Sequence, residues 1–218
     1  VVQLVRDAGL DGIEWGGDVH VPHGDIAQAT RVRDLCANAG VEVAAYGSYY
    51  RLGRNPEVAF EDVLATATAL GAPTIRVWAG QEGSATADSE CRQAVADDAR
   101  RIAEMARRQK TGIALEFHAD TLTDTTASAL ELLAAVGHEN VGSYWQPPAG
   151  WQEAQNQESL RSILPYLANL HVFMWADDGA RLPLAAGRER WQPLFQIVHD
   201  EKPAFDGYAM VEFVAGDE

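Results

Sequence analysis

Short runs of β-branched and aromatic residues alternate along the chain with longer segments in which apolar residues recur at helical spacing. The predicted strands are DGIEW (11–15), VEVAAYG (41–47), TIRVWAG (74–80), GIALEFH (112–118), VGSYWQ (141–146), NLHVFMW (169–175) and YAMVEFV (208–214). Their starts recur about every 30 to 40 residues, which is typical of βα units. Largely apolar strands joined by helices predict a parallel sheet.

The segments between the strands have the pattern of amphipathic helices. In the segment that begins at Asp25, the apolar residues Val32, Leu35, Cys36 and Ala39 share one face. A glycine shortly before the next strand is the expected end of most helices. These glycines are Gly9, Gly40, Gly71, Gly112 and Gly137. Because no linker or composition break divides residues 1–218, we interpret them as one domain.

The ends of the strands decide between two parallel architectures. A doubly wound sheet requires a glycine-rich phosphate loop after its first strand, and EWGGDVH lacks that pattern. A TIM barrel instead builds its site from polar residues at the strand ends. Such residues are Glu14, Arg76, Glu116, His118, Gln146, His171 and Glu212.

The sequence therefore predicts an α/β fold, a (β/α)₈ TIM barrel whose first helix begins at Val1. The first strand and the end of the last helix are expected to be missing from this chain. Since a missing strand leaves two unpaired sheet edges, we expect the native chain to be longer.

Composition narrows the choice of partners. The chain has 17 basic and 32 acidic residues and a formal net charge of −15, which opposes binding to nucleic acid. No run of about 18 apolar residues occurs, so a membrane partner is not expected. The two cysteines, Cys36 and Cys91, lie in helical segments and fit reduced thiols in the cytoplasm.

Side-chain alternation places polar residues from four consecutive strands on the inner face of the barrel. They are Glu116, Gln146, His171 and Glu212. Two carboxylates, an imidazole and an amide oxygen suit a divalent cation. The same two glutamates could exchange protons with a bound substrate. Taken singly, each residue also has a structural interpretation, as a glutamate paired with an arginine or a histidine in the core.

Six segments along nearly the whole chain carry a family resemblance. They are DGIEWGGDVHVPHGD, LEFHADTLTDT, YWQPP, LHVFMW, ERWQPLF and VEFV. Together they resemble the sugar phosphate isomerase/epimerase family of the xylose isomerase-like TIM barrels. The resemblance implies one divalent metal ion (Mn, Mg, Co or Zn) held by Glu116, His171 and Glu212, with the two glutamates as acid and base.

The resemblance also implies contacts with the substrate. His20 and His118 stand where such proteins place groups that face the substrate, and Arg181 is expected to contact a substrate oxygen or phosphate. Trp15 and Trp175 are expected to make the barrel mouth more apolar and to stack on a sugar ring.

The chain departs from the family pattern on two strands. Strand six of the family usually ends on an aspartate ligand, often with a histidine close behind, and here Gln146 is followed by Pro147 and Pro148. Strand seven lacks the family's HxKD-like ending, since His171 is followed by VFM. We expect the amide oxygen of Gln146 to be the fourth, uncharged metal ligand.

The leading hypothesis is a metal-dependent isomerase or epimerase of a ketose, sugar phosphate or related polyol, acting through an enediolate. A dehydratase of a cyclic polyol or hydroxy-ketone would use the same site. A non-catalytic sugar-binding barrel with a decayed metal site is a third hypothesis, supported by Gln146. A DNA-repair endonuclease of the same superfamily is disfavoured by the six histidines and the net charge of −15. The expected partner is a small sugar or polyol, and a homo-oligomer is left open.

Overall fold

The computed structural model describes residues 1–53, 58–148, 150, 152–176 and 178–214. Within these ranges seven strands alternate with seven α-helices. The strands are β1 (Gly12–Gly16), β2 (Glu42–Arg51), β3 (Thr74–Trp78), β4 (Gly112–Glu116), β5 (Val141–Trp145), β6 (Leu167–Val172) and β7 (Ala209–Val211). The helices are α1 (Val2–Asp7), α2 (Ile26–Ala39), α3 (Phe60–Leu70), α4 (Ser89–Arg108), α5 (Thr126–Val136), α6 (Glu153–Ile163) and α7 (Arg188–Glu201). Short 3₁₀ helices occupy Leu164–Tyr166 and Leu184–Gly187.

The strands form one parallel sheet in chain order, β1 to β7. The sheet curls into a nearly closed TIM barrel with one strand fewer than eight, which confirms the predicted fold. Residues of both edge strands, β1 and β7, line a cleft of about 630 Å³. At the opposite end of the barrel, the Tyr208 hydroxyl donates a hydrogen bond to the Glu42 carboxylate and ties the start of β7 to β2.

A small cluster of side chains fills the interior of the barrel. Ala45, Ala114 and Tyr144 pack together there, with Ala168 and Met210 against them. Neighbouring residues on each strand point to opposite faces, so larger apolar side chains of the same strands face the helices. At the carboxyl ends of the strands, the inward positions carry polar groups instead, among them Arg76 and Glu116.

Trp145 of β5 shows the outer layer of the core. Its side chain is fully buried between sheet and helices. Its indole N–H donates to the Ser159 hydroxyl of α6 over 2.9 Å, so the polar part of the ring is satisfied. This contact anchors α6 to β5.

Helix ends follow the expected chemistry with one exception. Gly40, Gly71 and Gly137 end α2, α3 and α5 in the left-handed conformation that glycine adopts without strain. The prediction for Gly112 is wrong, because this residue is the first of β4. Lys110 instead takes the positive φ, 59°, after α4.

The buried face of α2 is narrower than the sequence predicts. Ala29, Val32 and Cys36 are buried, whereas Leu35 is 58% exposed. A position next to Cys36 turns about 100° away from it, which carries Leu35 off the face that meets the barrel. Among the described helices, none combines the length and apolarity that crossing a bilayer requires.

The packing of α6 on the barrel gives a stability prediction. Leu160 of α6 is fully buried, so Leu160→Ala is expected to lower the free energy of unfolding by about 2–5 kcal/mol. Leu4→Ala is the matched control, because Leu4 is 72% exposed on α1 and its loss is expected to cost less than about 0.5 kcal/mol. Urea denaturation measures both, and similar values for the two variants would contradict the described core.

Candidate metal centre

The carboxyl ends of four adjacent strands bring the predicted ligands together. Glu116 is the last residue of β4, Gln146 follows β5, His171 lies near the end of β6, and Glu212 follows β7. Parallel strands end at the same edge of the barrel, so these side chains meet at its mouth. Glu116, His171 and Glu212 each offer one ligand atom, and these three atoms lie within 4.8 Å of one another.

His171 is at the centre of this group. Its Nδ1 lies 2.9 Å from Gln146 Oε1, 3.2 Å from Glu212 Oε2 and 3.6 Å from Glu116 Oε1. Gln146 Oε1 and Glu212 Oε2 are thus within hydrogen-bonding distance of this nitrogen, and Glu116 Oε1 lies just beyond it. The edge of the Tyr144 ring packs against the imidazole, with 5.1 Å between the ring centroids.

The environment of His171 favours the neutral imidazole that metal ions require. The residue is 1% exposed, and burial lowers its pKa well below the ordinary value. The nearby positive charge of Arg76 lowers the pKa further. A neutral ring at physiological pH keeps a lone pair available for coordination.

Arg76 of β3 joins the site, although the sequence analysis named it only as a polar residue at a strand end and not as a site residue. It is 6% exposed, and its guanidinium forms ion pairs with Glu14 of β1, at 2.7 Å, and with Glu116. The indole N–H of Trp78 donates to the same oxygen of Glu116. Burial by itself would lower the pKa of Arg76, but the two carboxylates raise it above its ordinary value. Arg76 therefore remains a cation inside the barrel.

A signal for this group was present in the sequence. Glu14 and Arg76 stand at predicted strand ends, like the proposed ligands. A search of the sequence for opposite charges at the ends of nearby strands would have predicted ion pairs of Arg76 with Glu14 and Glu116. The register supports this, since Trp78 of β3 lies beside Glu116 of β4.

The charges of the site fit a divalent cation. Glu14, Glu116 and Glu212 with one guanidinium, that of Arg76, leave an excess of two negative charges when all are ionised. Burial, and secondly the charge of Glu116, raise the pKa of Glu212 to about 8, while Arg76 acts in the opposite direction. A pKa this high means that no nearby cation fully compensates the negative charge of Glu212, so a bound cation would stabilise its carboxylate. The oxygen of Gln146 adds an uncharged donor beside it.

Two of the residues predicted to contact the substrate, His20 and His118, lie on different sides of the mouth. His20 is exposed and lines the cleft that Glu14, His171 and Glu212 also line. His118 packs against the ring of Trp78, with centroids 4.5 Å apart. Its Nδ1 is 2.7 Å from the backbone carbonyl oxygen of Ala119, so Nδ1–H donates to that oxygen and Nε2 is left for another partner.

Trp175 and Arg181 lie on the wall next to Glu212. They form an antiparallel bridge with each other after the end of β6. Both contact Phe213, which follows Glu212: the Trp175 ring centroid is 4.9 Å from that of Phe213, and the Arg181 guanidinium is 5.4 Å from it. The predicted strand 169–175 is displaced, because β6 spans Leu167–Val172, and the predicted strand 208–214 is too long, because β7 spans only Ala209–Val211.

Trp15 is not brought to this group. It is buried in the hydrophobic core, and its ring centroid lies 5.6 Å from that of His20. Neighbouring residues on a strand face opposite ways, so Glu14 points into the barrel and Trp15 points toward the helices.

The fold and the cluster at its mouth define a class of protein. Residues 2–217 match the family model of the xylose isomerase-like TIM barrels, and the chain belongs to this family. The resemblance inferred from the sequence motifs is thereby confirmed.

Individual relatives extend the comparison. The 3-dehydroshikimate dehydratase of Bacillus anthracis is 27% identical over 241 residues, which cover 98% of this chain and 84% of the relative. The crystal structure of a probable 3-DHS dehydratase involved in petrobactin synthesis, from the same organism, has a TM-score of 0.79 at 23% identity, covering 99% of this chain and 87% of that one.

Two further solved structures share the fold. A xylose isomerase-like TIM barrel protein from Mycobacterium smegmatis, in complex with magnesium, has a TM-score of 0.74 at 18% identity, covering 100% of this chain and 81% of that one. A D-psicose 3-epimerase, determined in the presence of D-fructose, has a TM-score of 0.72 at 18% identity, with coverages of 97% and 77%.

The raised pKa of Glu212 predicts how stability depends on pH in metal-stripped protein. Between its ordinary value of 4.5 and about 8, the folded state keeps a proton that the unfolded state releases. Raising the pH through this window is therefore expected to destabilise the protein, by up to about 1 kcal/mol per pH unit. Glu212→Gln removes the titrating group and serves as the control. Urea denaturation with a chelator at several pH values checks this, and identical pH dependence of both proteins would refute it.

Proposed function

We propose that the protein is a divalent-metal-dependent dehydratase of a small, cyclic polyhydroxylated ketone. The observation that carries the proposal is the convergence of Glu116, His171 and Glu212 at the mouth of a barrel of this family. The reaction type is supported by the dehydratase relative, whose similarity extends over 98% of this chain.

The donor set defines what a metal ion would contribute. Glu116, His171 and Glu212 would hold the ion, with the amide oxygen of Gln146 beside them. When bound, the ion supplies Lewis-acid polarisation of the substrate carbonyl, which makes the neighbouring C–H bond more acidic.

Glu212 is the better placed of the two glutamates to remove a proton. Glu116 is buried and already accepts hydrogen bonds from Arg76 and Trp78. The side chain of Glu212 is 26% exposed and faces the cleft. A base must reach the substrate hydrogen, and a carboxylate that faces the open mouth has that access.

The elimination balances without a further reactant. Glu212 takes the proton from the carbon next to the carbonyl and returns it to the hydroxyl that leaves from the following carbon. A C–H and a C–O bond break, a C=C bond forms, and water departs. Glu212 ends in its starting protonation state.

The walls of the mouth suit a ring-shaped substrate. The ring of Trp78 lies on one side, flanked by Tyr49 at 5.8 Å and His118 at 4.5 Å between centroids. Trp175 and Phe213 lie on the wall beside Glu212. Aromatic faces stack on flat rings, and a dehydrated cyclic ketone is flatter than its precursor. Nε2 of His118 is left for a hydrogen bond with a substrate hydroxyl.

An epimerase is the second candidate, and the pair of glutamates favours it. The carboxylates of Glu116 and Glu212 lie 3.6 Å and 3.2 Å from the same nitrogen of His171. In this reaction one glutamate removes the proton next to the carbonyl, and the other returns a proton to the opposite face of the carbon. The metal and the carbonyl polarisation are the same in both reactions.

Product analysis separates the two candidates. With Mn²⁺ and 3-dehydroshikimate as the probe, we expect loss of water and a conjugated product that absorbs in the near ultraviolet. Glu212→Gln is expected to lower kcat by about 10²- to 10⁴-fold, because the proton acceptor is lost. Glu201→Gln is the matched control, since Glu201 pairs with Arg161 on the outer surface.

Two results would contradict the proposal. Undiminished turnover in Glu212→Gln would remove this residue from the reaction. Exchange of substrate hydrogen for deuterium in D₂O, detected by NMR with no loss of water, would favour the epimerase instead.

A further inference from the structure

The guanidinium of Arg76 is shared between two carboxylates that belong to different strands. Its Nε donates to Glu14 Oε1 over 2.7 Å, and its Nη1 donates to Glu116. The side chains of Arg76, Glu14 and Glu116 are 7%, 14% and 5% exposed. Glu14 is not among the described residues whose donor atoms meet at the metal centre, so it reaches that centre through Arg76.

A glycine on β2 makes room for this pair. A Cβ atom on Gly47 would lie 2.7 Å from Arg76 Nη2 and 2.8 Å from Glu14 Oε1, closer than real Cβ contacts allow. The backbone of Gly47 does not require glycine, because its φ is not positive. The absence of a side chain is therefore needed for the space that the ion pair occupies.

Stability alone does not account for the arrangement. Oε2 of Glu14 and the nearby Tyr144 hydroxyl are both buried without a well-formed hydrogen bond among the described residues, although the two side chains interact, and this costs free energy. Buried ion pairs are often no more stabilising than apolar groups of similar volume. What Glu14 changes is the balance of charge around Arg76, which otherwise would face Glu116 alone.

We propose that Glu14 is a positioning residue of the metal centre: by sharing the guanidinium of Arg76, it keeps Glu116 available to a divalent cation. Without Glu14, the guanidinium of Arg76 would form its ion pair with Glu116 alone. The guanidinium is then free to turn toward that carboxylate and draw it away from His171. This inference rests on the metal-dependent function proposed above and extends it to a residue that does not touch the ion.

Mn²⁺ affinity, measured by isothermal titration calorimetry on the metal-stripped protein, tests the inference without any substrate. Glu14→Gln is expected to weaken Mn²⁺ binding by about 10- to 100-fold, the usual effect of removing a partner of a ligand. Glu42→Gln is the matched control, because it removes one carboxylate at the other end of the barrel, where Glu42 contacts Tyr208. Its affinity for Mn²⁺ is expected to stay within about twofold of the native value, since solvent and salt screen so distant a charge.

Gly47→Ala provides a second variant that changes no charge. The added methyl group separates Arg76 from Glu14, so Mn²⁺ binding is expected to weaken in the same direction. Thermal unfolding in the presence of a chelator shows that each variant remains folded. If both variants are folded and both bind Mn²⁺ as tightly as the native protein does, the inference is overturned.

The outcomes separate this inference from the proposed function. Weakened Mn²⁺ binding in both variants supports the role of Glu14 even where the native protein does not dehydrate the probe. Dehydration by the native protein with unchanged Mn²⁺ binding in both variants refutes the role of Glu14 and leaves the function standing. Absence of Mn²⁺ binding in the native protein refutes both.

Discussion

The ion pairs of Arg76 with Glu14 and Glu116 are the interaction on which the candidate site depends. Buried carboxylates repel one another in a medium of low polarity, and each loses its hydration. One guanidinium at the centre offsets part of this cost and fixes two strand ends relative to each other. Because it neutralises only one of three nearby carboxylates, an excess of negative charge remains when all three are ionised, which suits the divalent cation proposed for the site.

Gln146 is consistent with this balance of charge. The amide oxygen of Gln146 lies 2.9 Å from His171 Nδ1 and adds no charge. An aspartate would bring a further negative charge beside Glu116 and Glu212. Pro147 and Pro148 follow directly, and their restricted backbone ends the strand where this side chain enters the site. Gln146 therefore places an uncharged oxygen atom next to the imidazole, where an aspartate would place a charged one.

Much of the architecture could be predicted because it depends on local periodicity. The seven strands, the intervening helices and the parallel order follow from apolar spacing and from the separation of the runs. The predictions fail where contacts with a neighbouring element determine which residues are buried or where a strand ends. Leu35 is exposed because the contact face of α2 is narrow, and β6 ends at Val172 because the chain turns into the bridge between Trp175 and Arg181.

The sequence by itself determined that Glu116, Gln146, His171 and Glu212 would meet, because alternation along parallel strands sends such residues to one end of a barrel. Only the tertiary structure decided which other groups join them. The bridge from Glu14 to Glu116 through Arg76 spans β1, β3 and β4, which are far apart in sequence. Its formation depends on strand register, on side-chain conformation and on the space above a glycine of β2, and none of these is recorded in the periodicity of a single strand.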